Sequence, residues 1–350
     1  MAFRSRAANA PQGSPMRMAS AQNGKPPLMK KIATLALVLV VLVVGYFIAW
    51  SWAAGQATDY VKQLETADGV TTPRVSCKEF AISGFPFGFD AICKDATIVS
   101  GDVTVTLAGF KAAAEVWNPT HVIVLGQSPI GVSDAFTGSQ SRLDFASLQA
   151  SARLSGWRIG RVSVILEQPV WNDTVLDDRL LAEASRVEAH LVDVPEQRDA
   201  EKGLATLAEF GKVEGLSAPG LEIAAGEVIF EGEVTNLSDD VRTYGDGDLL
   251  QRWQAAGGRF LINSLTGNDG ATRFETTGTL GLDSAGRAEG QLKLSSNGVV
   301  ERLGDMIPEQ YKGLVVGAQA ADGSYSQTIN LAAGVVFSGM VPAGLIPPLY

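Results

Sequence analysis

Histidine and cysteine are almost missing from this chain, with two of each in 350 residues. His121 and His190 are too few for a His-rich metal site, and zinc or thiolate chemistry would have to draw on Cys77 and Cys93 alone. No G-x-S-x-G elbow, P-loop or H-E-x-x-H helix occurs. Carboxylates are plentiful, but chance pairs in so acidic a chain point to no reaction, and no nucleophile, base and orienter can be named together. The expectation is a protein that is not an enzyme, with no metal and no cofactor.

Acidic residues are missing from the first 58 positions, where Arg4, Arg6, Arg17, Lys25, Lys30 and Lys31 stand alone. The whole chain has 28 basic and 38 acidic residues, net −10; without those six basic residues the remainder has 22 against 38, or −16. A domain this acidic is repelled by nucleic acid and by anionic lipid head groups, so contact with lipid would have to be apolar.

Charge is also missing from Ile32 to Trp52, IATLALVLVVLVVGYFIAWSW. A hydrocarbon core takes about 20 apolar helical residues to cross, and this run supplies that length. Tyr46, Phe47, Trp50 and Trp52 crowd its far end like the aromatic belt of a spanning helix. Ser51 and Ala53 would pass as a weak signal-cleavage site, but the run is longer than the apolar core of a signal peptide. The reading is a single transmembrane helix over residues 32–52. Residues 1–31 form a disordered tail held inside by the positive-inside rule, and residues 53–350 are exported. Both cysteines fall in the exported part, where disulfides persist, and their spacing suits a bridge clamping a hairpin; two buried free thiols is the other reading.

Past Gln56–Glu65, which continues the helix, the pattern changes. In Asp102–Leu107, Val103, Val105 and Leu107 alternate with Thr104 and Thr106, the mark of a half-buried strand. The alternation returns in Arg186–Val194, Arg273–Leu282 and Gln291–Leu294. Runs at His121–Leu125, Arg161–Leu166, Glu227–Phe230 and Arg259–Leu265 read as further strands, with Gly267–Gly270 and Asp283–Gly286 as turns. Gln327–Leu331 and Val335–Met340 read as closing strands before an extended Pro-rich end lying on the domain. Helices are few and short: Leu249–Ala256 capped by Asp248, Asn297–Met306, and a weaker one over Arg198–Phe210. The fold class is mainly β with a few short helices, a large antiparallel sheet that divides into two subdomains, if at all, near residues 195–220. The acidic cluster Asp239, Asp240, Asp246 and Asp248 lacks the order of a calcium loop and reads as solvated.

The most distinctive exported stretch is Ser83–Asp90, SGFPFGFD. Phe85, Phe87 and Phe89 surround Pro86 in a turn-like setting, either folded onto the core or lining the mouth of an apolar groove. Phe85, Pro86, Phe87 and Phe89 are therefore the candidate ligand-binding residues.

A span, a short helix and then a strand bearing SGFPF resemble a family of bacterial envelope proteins, domain of unknown function 2125. The opening is similar to that of the AsmA-like superfamily. The segment GGRFLINSLTGNDGATRFETTGTLGLDSAGRAEGQLKLSSNG also resembles AsmA-like C-terminal regions. The resemblance implies a curved sheet with an apolar concave face, associated in relatives with moving or organising lipid, although this chain is too short to bridge an envelope alone. It implies a place in the bacterial inner membrane with the bulk in the periplasm. Two functions follow: a β-groove that handles lipid or another apolar ligand, or a scaffold that binds another envelope protein. An open apolar trough would favour the first, a filled core with both sheet faces covered the second.

Overall fold

The computed structural model describes residues 27–298, 317–339 and 341–350. Two compact units meet between Ser51 and Trp52. One long helix, α1 (Pro27–Glu65), carries the uncharged run and is long and apolar enough to cross a membrane.

Residues 52–350 are built on antiparallel strands. β1 (Arg74–Ser83), β2 (Gly88–Ser100), β3 (Val103–Glu115) and β4 (Asn118–Asp134) form a meander of long strands. Then come β5 (Gln140–Asp144), β6 (Ser147–Ser155), β7 (Arg158–Glu167), β8 (Val170–Asp173), β9 (Arg179–Glu183), β10 (Arg186–Asp193) and β11 (Leu204–Ala218). Here the sheet forks. The first half of β4, His121–Gly126, pairs with β6, and its second half, Ile130–Ser133, pairs with β5. Pro129 lies between the halves and has no N–H to give the ladder. One arm runs β6–β7–β10–β11 and the other β5–β8–β9, rejoining β11 through Ser217 opposite Glu183. Phe145, buried at the crotch, gives its N–H to Ser128 Oγ at 3.1 Å.

Past the fork the sheet continues through β12 (Ile223–Ser238), β13 (Phe260–Asn268), β14 (Arg273–Leu282) and β15 (Ala288–Asn297). It closes with the short β16 (Ala318–Gln319), then β17 (Tyr325–Ala332), β18 (Val335–Ser338) and β19 (Val341–Leu345). The strands read from alternation fall on β3, β10, β14 and β15, with Asp102 and Val194 lying just outside the observed strands. β11 spans residues 195–220 for much of their length and is paired on both sides, with β10 and with β12. The Pro-rich end is extended as read, although Val341–Leu345 pairs with β18, and Leu349 donates its N–H to the Gly286 carbonyl at 2.9 Å.

One helix expectation is overturned. Arg198–Phe210 is a turn closed by Gly203 at φ +65°, followed by β11 from Leu204. Leu, Ala and Glu favour a helix in isolation, but pairing on both edges outweighs that small preference. α2 (Leu249–Ala255) forms, with Asp248 at its N-cap position; the Asp248 side chain makes no cap bond and instead meets Arg252 at 3.3 Å. The expected helix Asn297–Met306 lies outside the described residues from position 299 onward, as does Met340 of the strand read to end there.

Complete burial is sparse and scattered. Leu207 and Cys93 are the large side chains most fully covered, with Ala96, Ile159, Ala205, Ile262, Leu282 and Leu331 behind them. Much of the apolar surface of the sheet is only half covered.

Candidate functional site

The fork brings two rows of apolar cross-strand partners together. On one arm, Ile130, Leu143, Trp171 and Ala182 stand opposite one another in turn across β4, β5, β8 and β9. On the other, Leu166, Val187 and Val213 do the same across β7, β10 and β11. Both rows line one trough of about 540 Å³, whose lining also includes Pro169 and Leu216. That volume lies in the range of small-molecule sites. Val132 and Trp171, both in the lining, are 38% and 48% exposed, so the trough is open. Ser141 and Glu183 are its polar rim. Leu216 also borders a smaller depression with Ile223, Val228 and Phe274, which extends the apolar surface onto β12–β14.

Alternation sets the two faces. Val187 points into the trough, so Arg186 and Glu188 point away from it. On that outer face Arg186 lies between Glu167 and Glu188, and Lys212 reaches Glu214 at 2.8 Å and Glu227 at 3.1 Å. The Lys212 ammonium holds the Glu214 carboxyl below its ordinary value. Glu209 lies deeper in β11, where burial pushes its carboxyl up. The paired charges Arg186, Glu188, Lys212 and Glu214 thus lie off the trough face, whereas Glu183 borders the trough and Glu209, opposite Leu191, shares the face of Val213.

The SGFPF stretch is elsewhere. Ser83 ends β1, Phe85, Pro86 and Phe87 form the turn, and Phe89 lies in β2. Gly84 adopts φ +106°, and a Cβ there would lie 2.8 Å from the Gly88 carbonyl oxygen, so only glycine fits. Gly88 N–H bonds to Gly84 O at 2.9 Å, and Val116 N–H bonds to Phe87 O at 3.0 Å, tying the turn to the β3–β4 turn. Pro86 and Phe89 are half-buried and Phe85 is 41% exposed. Phe87 is 68% exposed, 6.3 Å from the ring of Trp117, itself 66% exposed. None of the four SGFPF residues lines the trough. Ile130 pairs with Leu107 of β3 and Gly88 with Glu115, a separation of about 26 Å along that strand.

The remaining candidates have structural surroundings. Cys77 and Cys93 lie on β1 and β2 at disulfide distance, 2.01 Å between sulfurs and 5.5 Å between Cα atoms. His190 Nδ1 lies 2.9 Å from Ser163 Oγ, with its ring stacked on Phe210. Each carboxylate of the acidic cluster meets an arginine: Asp239 with Arg198, Asp240 with Arg242, Asp246 and Asp248 with Arg252. Among the described residues no group of three or more His, Cys, Asp or Glu could hold a metal ion.

No local sequence pattern marks the trough. Val187 and Leu166 were recognisable as strand residues, but each lining side chain looks like ordinary core until the fork brings the two rows together. The signal that bears on it is Pro129 inside a long β-run, which marks an interrupted ladder.

With this geometry in place, the chain belongs to the family described as an uncharacterized protein conserved in bacteria, DUF2125, whose model matches residues 50–347. No curated protein and no solved structure matches the chain.

Proposed function

We propose that this is a non-enzymatic bacterial envelope protein, anchored by residues 32–52, whose forked sheet binds the acyl part of a lipid or a similar apolar ligand. The observation that carries the reading is the open trough between the Ile130–Leu143–Trp171–Ala182 and Leu166–Val187–Val213 rows. An apolar surface of this kind costs free energy while it faces water, about 25 cal/mol for each Å² that a ligand could cover. The charge bias of the first 31 residues supports an N-terminus in the cytoplasm and residues 53–350 in the periplasm. A cysteine pair at disulfide distance fits an oxidising compartment. The anchor then keeps the trough beside a lipid source.

The test is photocrosslinking of the full chain in membranes with a long-chain fatty acid carrying a diazirine. The reading predicts labelled peptides from residues 130–143 and 166–187. Label confined to the helix would sink it.

A further inference from the structure

We propose that Glu209 recognises the head group of the ligand held between the arms of the fork, and that this head group bears a primary amine. The inference rests on the reading of the trough as a lipid site and adds to it a polar end and a chemical class.

The face that lines the trough continues along the strands beyond it. Across β7, β10, β11 and β12, the row Leu166–Val187–Val213–Val228 is followed by Val164–Ala189–Gly211–Phe230 and then by Val162–Leu191–Glu209–Gly232, all on one side of the sheet. The middle row is low and open. Ala189 is exposed, Val164 is 37% exposed, and a Cβ placed on Gly211 would meet nothing nearer than 3.7 Å. Glu209 is the one charged side chain in these three rows. A strand rises about 3.4 Å per residue, so Glu209 stands about 14 Å from Val213 along β11. An amphiphile with its tail between the arms reaches Glu209 over this floor of glycine and alanine.

The surroundings of Glu209 give it no partner of its own. Leu191 stands opposite it on β10, and on the β12 side the Phe230 ring lies over Gly232, where a Cβ would be 2.6 Å from the ring Cζ. Among the described residues Glu209 has no hydrogen-bond or ion-pair partner, and burial holds its carboxyl above the ordinary value. One step further along the same face of β10, Asp193 keeps Oδ1 buried without a hydrogen-bond partner. Its Oδ2 lies 3.4 Å from Arg158, whose guanidinium also reaches Ser155 Oγ at 3.3 Å.

Carboxylate oxygens therefore exceed donors at this end of the face. An ammonium, with three donors and no acceptor, matches that excess in both charge and hydrogen bonding. An anionic group would meet like charge, and an apolar end would bury the carboxylate unpaired. A lone carboxyl on an apolar face also breaks the patterning of the sheet, and such breaks concentrate at functional sites. Glu183, the carboxylate on the trough rim, is exposed and already solvated.

The experiment offers the full chain in detergent an equimolar mixture of phosphatidylethanolamine and phosphatidylglycerol. Both carry the same diazirine-bearing acyl chain and are told apart by an isotope tag. Label is read by mass spectrometry on peptides from residues 130–143 and 166–187. The expected result is at least fivefold more phosphatidylethanolamine than phosphatidylglycerol on those peptides in the parent, and a ratio within twofold of one in Glu209→Gln. Acetylating the lipid amine should abolish the preference in the parent itself, a reading that needs no variant to fold. Equal labelling by the two lipids in the parent would overturn the proposal, as would a preference that survives Glu209→Gln or amine acetylation. A preference lost in Glu183→Gln but kept in Glu209→Gln would overturn it by moving the amine to the rim. In each of these cases the trough keeps its lipid and the head-group assignment fails alone. No label on those peptides from either lipid would overturn the trough and this assignment together.

Discussion

Leu143 and Trp171 stand directly opposite each other across β5 and β8, and both line the trough that β7, β10 and β11 face from the other arm of the fork. The ladder that fixes β8 to β5 therefore also fixes the shape of the trough. A larger side chain placed beside them should close it without breaking the ladder. Ala182, the next residue in that row, is half-buried. Ala182→Phe is expected to lower retained ligand at least tenfold. The cost in stability should be no more than about 1–3 kcal/mol, the range for overfilling a packed site. Ligand content by mass spectrometry and urea unfolding together check it.

Phe87 is so exposed that it contributes little to folding in water. Phe87→Ala is expected to change the stability of the chain by less than about 1 kcal/mol, against about 3–5 for a buried phenylalanine. A loss in the larger range would show that the ring serves the core. Gly84→Ala, by contrast, should cost about 1–3 kcal/mol because of its φ of +106° and the nearby Gly88 carbonyl. Urea unfolding of the two variants side by side compares a ring in solvent with a backbone that only glycine can adopt.

Legibility in the sequence followed the physics of each element. Val103, Val105 and Leu107 showed their strand because alternation is local, and Arg273–Leu282 was bounded correctly because turns flank it. Arg198–Phe210 misled because β11 is held by partners on both sides that no local window contains. SGFPF was visible as a turn, with its rings placed at an edge away from the trough. The trough itself depends on which strand β4 chooses at each half of its length, a choice made by partners up to 32 positions away, His121 with Arg153 being the most distant.

Cys77 and Cys93 are separated by 16 residues. Closing a loop of that length restrains the unfolded chain by about 3 kcal/mol. Cys77→Ser with Cys93→Ser is expected to lose about that much, and the parent should resist alkylation until a reductant is added. Ready labelling of both thiols without reductant would contradict the bridge.

Glu209 gives a pH signature opposite to that of the surface carboxylates. Burial raises its folded-state value above the unfolded one, so between the two the folded chain binds more protons and its stability falls as pH rises. At neutral pH the buried charge is destabilising. Glu209→Gln should raise the melting temperature near pH 7, with the advantage shrinking toward about pH 4, where an unfolded glutamate is itself protonated. An unchanged or lowered melting temperature near neutrality would show that the charged form has a partner in solution.

The central claim is that the trough holds an apolar ligand, and the most direct measurement is lipid mass spectrometry on organic extracts of the purified full chain, parent and Ala182→Phe in parallel. Lipid bound around the helix is common to both proteins and cancels. The account predicts an excess near one acyl lipid per chain in the parent, with Ala182→Phe folded and lacking it. Equal lipid in the two folded proteins would contradict the account and leave the sheet as a scaffold for another envelope protein.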